Sequence, residues 1–254
     1  MPSRRYQAIL LPGAVMPAAL AYADLVRALG DDVDARPKEL ELYAGDAPPA
    51  GWSLATEVAG VLRTADAAGF DRFHVVGYSG GGAVALAFCA AYPHRLRTLT
   101  LNEPAWAGNK GLSELEQERW REYARIESLP PAEMIPAFMR AQLKDGVELP
   151  PPPTGDPPPW MQSRPAGIKA FLDEFKKSDL DIERLREFQG PVLCMLGARS
   201  HPGQFAEIAA RLANVFRDFR VEVFAERHHF DPPHRVEFQR VAELLRAHWD
   251  HNNL

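Results

Sequence analysis

The sequence predicts an α/β protein with a mostly parallel sheet and helices on both of its faces. Two observations carry this. Short apolar runs alternate with helix-like segments in the first hundred and the last sixty or so residues, and such alternation produces crossovers that cover a parallel sheet with helices. Between these stretches, Asn102 to about Gly190 holds no convincing strand, which predicts a helical insertion.

The elements follow in order. Tyr6–Leu11 is a short apolar run stopped by Pro12-Gly13, a strand and its turn. Ala18–Leu29 is rich in alanine and leucine and predicts one helix closed near Gly30. Glu39–Tyr43 alternates polar and apolar residues and is expected to form the next strand. Ser53 can cap a helix whose Leu54, Val58, Val61, Leu62 and Ala65 share one face. Phe73–Val76 predicts a buried strand, Gly80–Ala91 a helix and Leu96–Leu101 another strand.

Within the insertion, Ser113 and Glu116 make a capping box ahead of a charged helix. Further helices are expected near Ala132–Leu143 and Ala166–Lys177. Between them Pro150–Pro159 holds seven prolines, expected as an ordered, extended surface segment. Alternation then resumes. Pro191–Leu196 is a strand; Phe205, Ile208, Ala209 and Leu212 mark a helix. Phe219–Ala225 is the last strand, and Phe238, Val241, Leu244 and Leu245 line a closing helix. This assigns residues 1–102 and 190–254 to the α/β core and 103–189 to a helical, proline-rich lid.

Composition narrows the function. At 254 residues, 46% of them hydrophobic, the chain is long and apolar enough for one large core. A net charge of −5 draws it to neither nucleic acid nor an anionic membrane. No apolar run approaches the ~20 residues of a membrane span. The start, MPSRRYQAILLPG, has no cleavage site and reads as a cytoplasmic N-terminus. Two cysteines make neither a disulfide framework nor a four-thiolate zinc site. A small-molecule partner is expected, with no metal or cofactor, on a monomer or homodimer.

The chemistry concentrates at Gly77-Tyr78-Ser79-Gly80-Gly81, between the strand Phe73–Val76 and the helix from Gly80. This is G-x-S-x-G in a strand–turn–helix setting. The turn is tight enough that side chains two before and two after the serine would collide. Ser79 Oγ is then held clear of the sheet at a helix N-terminus, where the Gly80 amide can face an oxyanion. A phosphate loop would want a closing Lys-Ser/Thr and a dinucleotide site G-x-G-x-x-G, and both are absent.

On these residues, and on Arg227-His228-His229-Phe230 after the last strand, the chain resembles the α/β-hydrolase family from Tyr6 to Trp249, the insertion excepted. The resemblance implies the order nucleophile, acid, histidine. It makes Ser79 the nucleophile and His229 the general base, with His228 the alternative one residue away. The acid departs from the usual pattern. The loop after Pro191–Leu196 is Gly197-Ala198-Arg199-Ser200-His201-Pro202, without a carboxylate. Some members place the acid one strand after the nucleophile, which here selects Glu103; Asp231 is the fallback.

The resemblance also implies a second oxyanion donor beyond Pro12-Gly13, with Ala14 the first choice and Val15 the second. Tyr78, Val15, Trp106, Phe138 and Trp160 are weaker candidates for contact with substrate. Because Tyr6–Leu11 matches the family's third strand, about six strands are expected. The implied function is a cofactor-independent serine hydrolase of a small or medium organic ester, thioester or lactone. Carbon–carbon bond hydrolysis, cofactor-free peroxidase chemistry and non-catalytic ligand binding on the same fold remain alternatives.

Overall fold

A computed structural model describes residues 6–149 and 156–250. β1 (Tyr6–Leu11) leads through α1 (Ala18–Ala21) and α2 (Ala23–Leu29) to β2 (Val33–Pro37). Then come α3 (Leu54–Ala67), β3 (Phe73–Tyr78), α4 (Gly80–Ala91) and β4 (Leu96–Asn102). Among the described residues, four α-helices follow before the next strand: α5 (Glu114–Glu127), α6 (Pro131–Arg140), α7 (Arg164–Lys177) and α8 (Ile182–Arg186). β5 (Val192–Gly197), α9 (Pro202–Ala213), β6 (Phe219–Phe224), α10 (Pro233–Val236) and α11 (Phe238–Asp250) complete the chain.

The six strands form one sheet in the order β2-β1-β3-β4-β5-β6, every pair parallel. The central strands bury both faces, as in a covered parallel sheet, while the edge strand β6 leaves Val221 and Val223 exposed. The two-residue period divides β1 between the two faces. Ile9 and Leu11 join α3 and α4 in one core, while Tyr6, Ala8 and Leu10 join α2 and α11 in the other. Parallel strands bring the chain ends after β1, β3, β4 and β6 to one edge, where α/β proteins bind ligands.

Two expectations change. The strand expected at Glu39–Tyr43 lies earlier, at Val33–Pro37, paired to β1 from Tyr6↔Val33 to Leu10↔Pro37. As an edge strand it tolerates its proline. Glu41–Tyr43 coils into a 3₁₀ turn instead, because the buried Glu57 carboxylate accepts the N–H of Glu41 at 2.9 Å and of Leu42 at 2.8 Å. The single helix expected over Ala18–Leu29 breaks at Tyr22, whose hydroxyl donates to the Leu11 carbonyl at 2.7 Å. Of the proline run, residues 150–155 lie outside the described residues, and Pro159–Met161 form a 3₁₀ turn. The Ser113–Glu116 capping box is present in both directions, at 3.1 and 3.2 Å.

Two histidines are buried neutral in the core. His74 on β3 shares a hydrogen bond with Thr98 Oγ1 at 2.9 Å and stacks on Trp249. His234 on α10 meets Asn102 Nδ2 at 2.8 Å. Burial depresses both imidazoles from 6.5 to about 3. A depressed histidine favours the fold fully above its unfolded value, and that contribution is lost as pH falls from 6.5 towards 3. Stability is therefore expected to drop by at least a few kcal/mol through that window. Urea denaturation at stepped pH checks this, and His74→Gln should flatten the dependence.

Candidate active site

Among the described residues only Ser79 and Glu103 are non-glycine residues with positive φ, at 52° and 45°. Such backbone costs of order 1–3 kcal/mol per residue and persists only where the surroundings impose it. At Ser79 the imposition is visible. A Cβ on Gly77 would lie 2.4 Å from the Gly81 carbonyl oxygen, and one on Gly81 would lie 2.4 Å from the Leu11 carbonyl oxygen. The turn is locked from outside too: the Ser79 N–H donates to the Asn102 carbonyl at 3.1 Å, and the Ser79 carbonyl accepts from Ala105 at 3.0 Å. Ser79 is thus fixed at the end of β3, with its side chain ahead of α4.

The three residues read as a triad meet. His229 Nε2 lies 3.0 Å from Ser79 Oγ, and His229 Nδ1 lies 3.0 Å from Glu103 Oε2. The second Glu103 oxygen accepts the Gly197 N–H at 2.8 Å. Glu103 is wholly buried and His229 nearly so. Both carboxyl oxygens are thus hydrogen-bonded, as burial of so polar a group demands. Gly197 closes β5, where the commoner acid loop begins. Glu103 therefore ties the end of β4 to the end of β5 while its other oxygen faces His229.

The histidine ring is held on several sides. Phe205 stacks on it at 4.4 Å between centroids and 14° between planes, and Phe230 meets it edge-on. Tyr78 donates its hydroxyl to the His229 carbonyl, and burial keeps that phenol far above its ordinary pKa, so it stays a donor. The two alternatives are engaged elsewhere. His228 Nδ1 accepts the Phe230 N–H at 3.2 Å, and burial lowers its pKa. Asp231 pairs with Arg227 at 2.5 Å.

Gly80 is the first residue of α4, and its N–H has no helical carbonyl before it. The chain after β1 passes directly over the serine, since a Cβ on Gly13 would lie 3.2 Å from Ser79 Cβ. Ala14 and Val15 border the same cavity, and the Ala14 carbonyl is tied to the Tyr43 hydroxyl at 2.7 Å.

Ser79 and His229 open into a cavity walled in part by residues of α5, α6 and α7. Tyr78, Val15 and Phe138 line it, as expected. Trp106 and Trp160 do not. Trp106 lies behind Phe175, stacked on it at 5.3 Å, with its indole N–H on Asn109. Trp160 sits in the 3₁₀ turn ahead of α7, with the Arg164 guanidinium 5.5 Å from its ring centroid. Sequence reasoning missed much of the wall. Ile168, Phe171, Leu172 and Phe175 of α7 face the cavity at helical spacing, a signal that was present. Tyr123, Gln142 and Gln204 also line it, and no local pattern marks them.

Comparison with known proteins agrees with the architecture. The model of the alpha/beta hydrolase fold family matches residues 44–230. A curated relative, the 2-hydroxy-6-oxo-6-phenylhexa-2,4-dienoate hydrolase of Comamonas testosteroni, is 27% identical over 184 residues, 70% of this chain and 63% of that protein. The match thus spans less than two thirds of that relative's length. Among solved structures, the thermophilic esterase from Thermogutta terrifontis superposes with a TM-score of 0.67 at 16% identity, covering 99% of this chain and 92% of that one. Carboxylesterase CesB from Bacillus subtilis gives 0.66 at 16% identity, covering 97% and 84%. At such identities the structural likeness is one of fold. Among the described residues, no helix is long and apolar enough to cross a membrane.

Proposed function

The chain belongs to the alpha/beta hydrolase fold family, and from that premise we propose that it is a serine hydrolase of a small or medium organic ester, thioester or lactone. The observation that carries this reading is the continuous hydrogen-bonded line from Ser79 Oγ through His229 to Glu103. Ser79 Oγ attacks the substrate carbonyl while its proton passes to His229 Nε2. Glu103 holds the ring and stabilises the imidazolium. The Gly80 and Ala14 amides receive the oxyanion. His229 returns the proton to the leaving group, and an acyl-enzyme remains on Ser79. Water, deprotonated by His229, then adds to the acyl carbon and releases the acid. The helices between β4 and β5 act as a lid, and α5, α6 and α7 supply residues to the cavity wall.

A second reading, hydrolysis of a carbon–carbon bond by the same triad, is favoured by the curated relative, whose named substrate is a dienoate. Such a substrate is a carboxylate, and among the described residues lining the cavity none is Lys or Arg. That supports the ester reading over it. The test is p-nitrophenyl acetate and butyrate turnover. Saturable hydrolysis of both is expected. Folded protein that turns over neither, yet binds apolar ligands under the lid, would point to non-catalytic binding.

A further inference from the structure

The cavity wall is almost wholly apolar, and its exceptions are specific. Trp120, Phe138, Ile168, Phe171, Leu172 and Phe175 supply aromatic and branched surface. No Asp, Glu, Lys or Arg is among the described lining residues. A carboxylate-bearing substrate would lose its hydration there and meet no fixed cation to replace it. Against this background two carboxamides stand out, Gln142 and Gln204, 2% and 6% exposed. Gln142 is occupied in part, its Nε2 donating to the Phe138 carbonyl at 3.1 Å. Gln204 is differently placed. Its Oε1 accepts the Tyr123 hydroxyl, which orients the amide and leaves the Nε2 group as its donor end, on a residue that borders both this cavity and an adjoining one lined by Glu116, Arg119 and Arg211. A substrate that displaces water from that donor without replacing its hydrogen bond would leave it unpaired in an apolar setting. Phe205, the next residue, stacks on His229, so Gln204 stands on the wall beside the reacting centre.

We propose that this cavity selects neutral aromatic or branched acyl esters carrying one uncharged hydrogen-bond acceptor beyond the reacting carbonyl, a keto, ether or hydroxyl oxygen bound by the Gln204 amide N–H. The proposal rests on the serine hydrolase reading and names its substrate class. The apolar wall takes the hydrocarbon, the absence of a cation rejects anions, and Gln204 distinguishes a chain that has the acceptor from one that lacks it. Binding of this kind discriminates chiefly through the penalty of leaving a buried donor unpaired.

The experiment compares three p-nitrophenyl esters: the phenylbutanoate, its keto analogue with a carbonyl beside the ring, and its carboxyphenyl analogue. Wild type is expected to prefer the keto ester to the plain one by roughly tenfold in kcat/KM. It should prefer the plain ester to the carboxyphenyl ester by on the order of 100-fold. Gln204→Leu and Gln204→Glu should both erase the keto preference, read as the ratio of the two kcat/KM values. Gln204→Glu keeps an acceptor for Tyr123, so it decides the matter if Gln204→Leu fails to fold. Turnover of the carboxyphenyl ester equal to the plain one, or a keto preference that is missing in wild type or survives in Gln204→Glu, overturns the proposal and leaves the hydrolase reading standing. Absence of any Ser79-dependent turnover overturns both.

Discussion

Ser79→Ala is expected to lower kcat/KM for p-nitrophenyl butyrate by on the order of 10⁵-fold while the protein stays folded. The size follows from the mechanism. No second hydroxyl replaces Ser79 Oγ 3.0 Å from His229 Nε2, so the acyl-enzyme route closes completely. What survives is water attack helped by binding and by the backbone oxyanion donors. The fold should tolerate the change, because the φ of 52° at residue 79 is set by its neighbours and alanine bears it about as serine does. Circular dichroism verifies the fold, and initial rates verify the loss. Equal rates in variant and wild type would remove Ser79 from the chemistry.

Glu103→Gln is expected to lower kcat by roughly 10³- to 10⁴-fold with little change in KM. The substitution preserves shape but removes the charge that stabilises the imidazolium. It also disturbs the tautomer. The Gly197 N–H needs an acceptor at 2.8 Å and the His229 Nδ1–H needs another at 3.0 Å, and a carboxamide has only one oxygen to offer. Either the glycine amide is left unpaired or the imidazole turns its proton towards Ser79, where it can no longer accept. Asp231→Asn should change kcat by less than about threefold, since that half-buried carboxylate is spent on Arg227, away from Ser79 and His229. The reverse pattern, an inert Glu103→Gln and an inactive Asp231→Asn, would relocate the acid.

How much of this was legible in the sequence depends on how local each determinant is. The elbow was legible because its motif is local: a Cβ on Gly77 would strike the Gly81 carbonyl four residues on, although Gly81 itself is demanded by the Leu11 carbonyl seventy residues earlier. Glu103, just beyond the next strand, was selected by the family resemblance together with parallel topology, which puts successive strand ends on one edge. His229 was selected by the same resemblance, counted from the end of the last strand. The edge strand β2 was misplaced because its rival, Glu39–Tyr43, has the better alternation. That segment is pulled into a turn by Glu57, a carboxylate sixteen residues from Glu41 on another element. Trp106 and Trp160 were read as substrate contacts because aromatic residues in an insertion could face either way. Phe175 decides it for Trp106, and nothing near Trp106 in sequence shows that Phe175 will be its neighbour. The Gln204 carboxamide was invisible for the same reason: its meaning comes from Tyr123, eighty-one residues earlier.

The central claim is that Ser79 becomes acylated. Rapid mixing with p-nitrophenyl butyrate, acid quench and peptide mapping by mass spectrometry tests it most directly. A butyryl group on the peptide containing Ser79, absent from Ser79→Ala, is the result predicted. Active, folded enzyme that carries the acyl group on another residue would contradict it.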